Sequence, residues 1–135
     1  MWLLESGRGS LAVADLDAGT WRAVVEMPGF TRGLDFYGPL AFIGLSQVRE
    51  SATFSGIPLV ERVAERTCGV WVVHIETGQT LGFLRFEAGV QEIFAVQALP
   101  HARYPEILQP DDERVLHSYV LPEAALRDTP LAERA

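Results

Sequence analysis

The sequence predicts an all-β chain built as a partial β-propeller, with about two four-stranded blades, the start of a third and a short helical insertion. Three observations carry this reading. Apolar and polar residues alternate with period two through most of the 135 residues. Gly, Pro, Asp and Thr punctuate that alternation at short intervals, as turns between strands require. A hairpin pattern in the first third of the chain is also written again in the middle, and a repeat of about 40 residues with about four short strands is the pattern of propeller blades.

The expected strands are 2–5, 10–16, 21–27, 31–36, 40–46, 69–75, 80–86, 91–98 and 115–120. Leu11-Ala12-Val13-Ala14-Asp15-Leu16 leads into Asp17-Ala18-Gly19-Thr20, and Trp21 to Met27 returns as a second strand. Gly19 supplies the positive φ of a tight turn, and Pro28-Gly29 closes the unit. Val70-Trp71-Val72-Val73-His74-Ile75, the turn Glu76-Thr77-Gly78-Gln79 and Thr80 to Phe86 repeat that hairpin. The aromatic residues Trp21, Phe30, Phe36, Phe42, Trp71, Phe83, Phe86 and Phe94 alternate within these strands, which predicts core between blades. In the tail, Pro122 to Arg127 has the form of a short helix with proline in its first turn.

The two copies align in register. Gly19 falls on Gly78, 59 residues on, and Leu3-Leu4-Glu5-Ser6 falls on Ile43-Gly44-Leu45-Ser46, 40 residues on. The difference is a 19-residue insertion, residues 50–68. Within it Ile57, Val60, Val63 and Ala64 are spaced for one face of a short helix, and Pro58 suits its first turn. The divisions are therefore 1–29, the end of a first blade; 30–89, a second blade carrying the insertion; and 90–135, the start of a third blade with the tail.

Composition removes several functions. With 48% hydrophobic residues the chain can support a core, and no apolar run approaches the roughly 18 residues of a spanning helix. The net charge is −7, and residues 106–135 carry seven acidic residues against three Arg. With no basic patch to neutralise phosphates, neither nucleic acid nor an anionic membrane is an expected partner. Every basic residue is Arg and Asn is absent, so no N-glycosylation acceptor exists. One cysteine, Cys68, cannot form an internal disulfide, which fits a reducing, cytoplasmic setting.

Residues 28–108 carry a resemblance. Pro-Gly-Phe-Thr-Arg-Gly-Leu (28–34), Gly-Leu-Ser-Gln-Val-Arg-Glu-Ser (44–51), Cys-Gly-Val-Trp-Val-Val (68–73), Phe-Leu-Arg-Phe-Glu-Ala-Gly-Val-Gln-Glu-Ile-Phe (83–94) and Arg-Tyr-Pro-Glu (103–106) hold it. Together they resemble the C-terminal part of an uncharacterised bacterial family of conserved hypothetical proteins with a domain of unknown function. That resemblance implies a longer, propeller-type repeat protein and supplies no reaction. Met1–Gly7 resembles the middle of a blade.

Propeller geometry turns the repeat into a map of candidate sites. If the innermost strand of each blade descends from the top face, the Gly19 and Gly78 turns lie at the opposite face. Aligning Gly29 with Gly89 makes Arg32 and Glu92 equivalent on neighbouring inner strands, and Arg49 and Glu50 stand at the root of the insertion above them. Arg offers a planar fork for carboxylate or phosphate, and loops on a rigid scaffold commonly carry function. Arg32, Arg49, Glu50 and Glu92 are thus the expected ligand-binding residues, with a structural charge network between blades as the competing explanation.

Three functions stay open at this level. The first is a binding or interaction module whose top face recognises an anionic small molecule or a partner protein. The second is a propeller-type hydrolase or lyase using Glu50 or Glu92 as general base beside Arg32 or Arg49. The third is a purely structural remnant. No cofactor is expected. His74, His101 and His117 lack ligand spacing, Asp111-Asp112-Glu113 lacks a calcium-loop pattern, and no metal site is predicted. Cys68 and His74 lie six residues apart on one strand, roughly 20 Å, too far for a nucleophile–base pair. Two blades do not close a ring, so a fragment of a longer propeller or a self-associating subunit is expected.

Overall fold

The computed structural model describes residues 1–48 and 56–117. Seven strands form, β1 (Trp2–Glu5), β2 (Ser10–Asp15), β3 (Thr20–Glu26), β4 (Phe30–Tyr37), β5 (Leu40–Ser46), β6 (Gly69–His74) and β7 (Thr80–Arg85), with two helical turns, α1 (Pro58–Arg62) and α2 (Glu113–Leu116). The molecule is mostly β, in two antiparallel sheets. β1-β2-β3 make a three-stranded sheet and β4-β5-β6-β7 a four-stranded one, each strand pairing with its neighbour in sequence. Met1–Pro100 form one compact unit, and the described residues from His101 onward belong to a second. No described helix is long and apolar enough to cross a membrane.

Alternation dictates which side chains the sheets share. In β5 and β6, Ala41, Ile43, Leu45, Trp71 and Val73 point one way and are buried. They meet Leu11 of β2 and Met27, just after β3, with Trp2, Leu4, Val25, Leu34 and Phe36 packed around them. Ile43 is fully buried, and removing its branched side chain would cost about 2–5 kcal/mol. The Trp71 and Phe83 rings stack with centroids 5.1 Å apart, and Trp2 tilts against Phe36 at 5.8 Å.

One pairing register serves both sheets. Trp2 pairs with Val13, Leu3 with Ala12, Leu4 with Leu11 and Glu5 with Ser10. Phe42 pairs with Val72, Ile43 with Trp71, Gly44 with Val70 and Leu45 with Gly69, each partner displaced by the same 40 or 59 residues. β3 and β7 each carry one irregularity in their pairing, at Val24 and Leu81 respectively. Among the described residues, no strand takes the place beside β1 that β4 takes beside β5.

The insertion folds back onto the turn between β1 and β2. Pro58 opens α1 at a position where its missing N–H costs nothing. The buried residue is Leu59, not the Ile57, Val60, Val63, Ala64 face expected from spacing, because α1 ends at Arg62 after little more than one turn. Leu59 N–H donates to the Gly7 carbonyl, and Arg62 donates to the carbonyls of Arg8 (2.7 Å) and Met27 (3.0 Å). Gly9 has φ +70°, and a Cβ there would stand 2.6 Å from the Gly29 carbonyl, so only glycine fits beneath this clasp.

Two expected strands are corrected. Residues 91–98 belong to neither sheet, although β4 beside them is an edge strand with one lateral partner. The segment instead crosses the second face of the four-stranded sheet. Gln47 N–H donates to the Gln91 carbonyl, the Ser46 hydroxyl bonds both N–H and C=O of Ile93 (2.9 and 3.0 Å), and Ala98 N–H donates to Asp35 (2.7 Å). Ser46 pairs with Phe30, so Ile93 to Ala98 advances five residues while β4 advances from Phe30 to Asp35. The segment therefore runs extended beside β4 and in its direction.

The second correction concerns residues 115–120. Val115 and Leu116 are helical, since Asp112 caps α2 by accepting from Arg114 N–H, while 118–120 lie outside the described residues, as does the expected helix at 122–127. Arg114 also grips the Asp112 and Glu106 carboxylates, and its guanidinium holds Asp112 below the usual aspartate range. Among the aromatic residues expected in the core, Trp21, Phe83 and Phe94 are more than half exposed.

Candidate functional site

β4 starts, and β5 and β7 end, at one edge of the four-stranded sheet, where the chain must turn three times. A twist in pairing between Thr31 and Leu34 turns Arg32 onto the face that residues 91–98 cross. There its guanidinium lies 4.3 Å above the Phe94 ring and 3.9 Å from the Glu92 carboxylate. Both charged side chains remain partly in water, so the ion pair contributes at most about 1 kcal/mol. The aromatic contact adds a similar amount and fixes the plane of the guanidinium.

Cys68 sits just before β6 at the same end and is fully buried. Burial, and secondarily the nearby Glu92 carboxylate, push its thiol upward, so it stays protonated and unreactive. Beside it opens a polar cleft of about 350 Å³ whose walls include Gln47, Arg66, Thr67, Arg85 and Glu87. Arg85 is oriented by Glu87, with a guanidinium–carboxylate distance of 2.6 Å. Glu65 lines the cleft too, so its two guanidiniums stand with two carboxylates, and each guanidinium offers N–H donors of the kind that bind an oxyanion.

Of the residues singled out from sequence, Arg32 and Glu92 come together, and Arg49 and Glu50 lie outside the described residues. Their equivalence on neighbouring strands needs revising by two residues. The Ser6 hydroxyl donates to the Thr31 carbonyl as that of Ser46 does to the Ile93 carbonyl, which places Ile93, not Gln91, in the position of Thr31. Phe94 then occupies the position of Arg32, which is why the two side chains meet. Sequence reading missed Arg66 and Arg85 because only the folded sheet joins the end of the insertion to the end of β7. It read Phe94 as core, since alternation alone does not distinguish a ring under a guanidinium from one between sheets.

Among the described residues, no three His, Cys, Asp or Glu side chains gather as a metal site. No curated protein and no solved structure matches the chain. A family match covers residues 1–108, taking in all seven strands, the clasp of α1 and the crossing segment 91–98 that together build this end of the sheet. Because that match spans most of the chain, the protein belongs to the family described as a domain of unknown function, DUF4915.

Proposed function

We propose that the protein is a binding module made of propeller-type blades, and that the loop end of its four-stranded sheet recognises an anionic small molecule. The observation that carries the binding role is the convergence at one sheet end of Arg32, held over Phe94 beside Glu92, with the polar cleft walled by Arg66 and Arg85. A rigid platform with guanidiniums at its rim favours ligands bearing carboxylate or phosphate. The buried, protonated Cys68 supplies no nucleophile there.

The blade reading draws support from the shared register of β1–β2 and β5–β6, and from the matched serines that tie each sheet to the next inner segment. In this reading β4–β7 form one complete blade, β1–β3 the outer three strands of the preceding one, and 91–98 the inner strand of the next.

Amide NMR shifts measured while inorganic phosphate, and separately succinate, is added to the full chain test the binding role. The expected response is concentrated at Arg32, Arg66, Arg85 and Glu92, and Arg32→Ala weakens binding by about tenfold, the loss of one charge-assisted contact. Arg22→Ala, on β3, leaves it unchanged. Equal losses from both substitutions, or no saturable response to either anion, would overturn the proposal.

A further inference from the structure

The cleft beside Cys68 lies between two chain segments that backbone hydrogen bonds hold in place. One is the end of the insertion, Glu65 to Cys68, where Thr67 N–H donates to the Pro28 carbonyl (2.8 Å). The other is the chain leaving β7, where Phe86 N–H donates to the Cys68 carbonyl (2.9 Å). Each wall carries one guanidinium and one carboxylate, Arg66 with Glu65 on the first and Arg85 with Glu87 on the second.

These four charges satisfy one another only in part. Arg85 meets a single Glu87 oxygen, through Nε at 2.8 Å and a terminal nitrogen at 2.6 Å. Its other N–H groups and the second Glu87 oxygen are left for further partners. Arg66 donates to the Val63 carbonyl at 3.3 Å, close to its own wall. Among the described residues, the Glu65 carboxylate has no hydrogen-bond or charge partner. A simple anion entering the cleft therefore meets two carboxylates along with the guanidiniums, and a simple cation meets the reverse. A molecule that carries both charges close together answers both signs at once.

We infer that the small molecule bound here is a free α-amino acid with an apolar side chain, its carboxylate on Arg66 and Arg85 and its ammonium group on Glu65 and Glu87. This inference rests on the reading of this sheet end as a ligand site. A primary ammonium brings N–H donors for those acceptors, which a quaternary one lacks. Val48 and Phe86, both partly buried, line the same cleft and give it an apolar part for the side chain. The volume of about 350 Å³ stands at the lower end of the roughly 300–1,000 Å³ of ligand clefts, which suits one amino acid better than a peptide. A peptide terminus also brings only one of the two charges.

Amide NMR on the full chain tests this with L-leucine and its two single-charge relatives. These are 4-methylpentanoate, which lacks the ammonium group, and 3-methylbutylamine, which lacks the carboxylate. Leucine is expected to shift the amides of Arg66, Thr67, Arg85 and Glu87 saturably. It should bind about tenfold more tightly than either relative, the worth of one charge-assisted contact. Glu65→Gln is expected to remove the advantage of leucine over 4-methylpentanoate, and Arg85→Ala to weaken both by about tenfold. Both side chains are exposed, so each variant should keep the unaltered spectrum away from the cleft.

If 4-methylpentanoate binds as tightly as leucine, or leucine binds equally well to the Glu65→Gln chain, the amino acid is overturned and the anion reading stands. The same holds if succinate or phosphate binds and leucine does not. No saturable response to leucine, succinate or phosphate overturns both.

Discussion

β1–β2 and β5–β6 fold unlike residues onto one pairing register, and the two regions differ chiefly in what covers them. Ile43, Trp71 and Val73 on the four-stranded sheet face a neighbouring sheet and are buried. Their counterparts in register are Leu3, Ala12 and Ala14, which face away from that sheet; Ala12 is buried, while Leu3 and Ala14 stay partly exposed beside an exposed tryptophan. The backbone pattern is thus set locally, by alternation and glycine turns, whereas burial follows the partner each face meets. Ile43, Trp71 and Val73 are buried where a sheet is opposite, while Leu3, Ala14 and Trp21 line an open hollow. The crossing segment 91–98 makes the same point from the other side, since it follows β4 in direction but has only one face covered.

The largest expected effect tests that contrast directly. Ile43→Ala should lower stability by about 3–4 kcal/mol, because a fully buried branched side chain leaves a cavity between two sheets. Leu3→Ala, at the matching position on the uncovered face, should cost about 1 kcal/mol in dilute chain, where only part of the side chain leaves water. Urea unfolding at two protein concentrations measures both. A Leu3→Ala cost that rises with concentration would show that the face is covered by another copy. Equal costs at the lowest concentration would remove the difference between the two faces altogether.

How much of this was legible beforehand depends on the range of the interaction concerned. β1 to β7 all lie within one residue of the expected strands at each end, because period-two alternation and the turns at Gly19 and Gly78 act over a few residues. The expected Arg32–Glu92 neighbourhood also appears, although the alignment that suggested it is displaced by two residues. Leu59 was not legible, since a helix of little more than one turn has no period to read and its burial depends on the turn at Gly7–Gly9. Residues 91–98 alternate like a strand, but Ser46 and Asp35 hold them across the sheet face, and no local pattern reports that placement. Arg66 and Arg85 share a cleft wall only after β6 and β7 have paired, so their spacing in sequence carries no trace of the cleft.

A smaller effect separates the two serines. Ser46 is buried, and its hydroxyl serves both the N–H and the C=O of Ile93, so Ser46→Ala strands two backbone groups and should cost about 2 kcal/mol. Ser6 makes one such bond, to the Thr31 carbonyl, and Ser6→Ala should cost about 1 kcal/mol. Hydrogen exchange sharpens the comparison. Ser46→Ala should speed exchange at Ile93, while Ser6→Ala should leave Ile93 unaffected. If Ser46→Ala left exchange at Ile93 unchanged, the crossing segment would be held by Asp35 and apolar contact alone.

The smallest effect reverses sign. Thr31 is fully buried on the face that meets the three-stranded sheet, and its hydroxyl has no hydrogen-bond partner, so folding strips water from a polar group without replacing it. Its counterpart on the crossing segment is Ile93, an apolar residue in the same position relative to the serine that holds it. Thr31→Val keeps the branched shape and the strand preference while removing the stranded hydroxyl, and it leaves the carbonyl that Ser6 uses untouched. Stability should rise by about 1 kcal/mol, seen as a higher urea midpoint with an unchanged slope. A loss of similar size would mean that the hydroxyl has a partner in solution. The two inner segments would then differ in chemistry as well as in whether a sheet has formed around them.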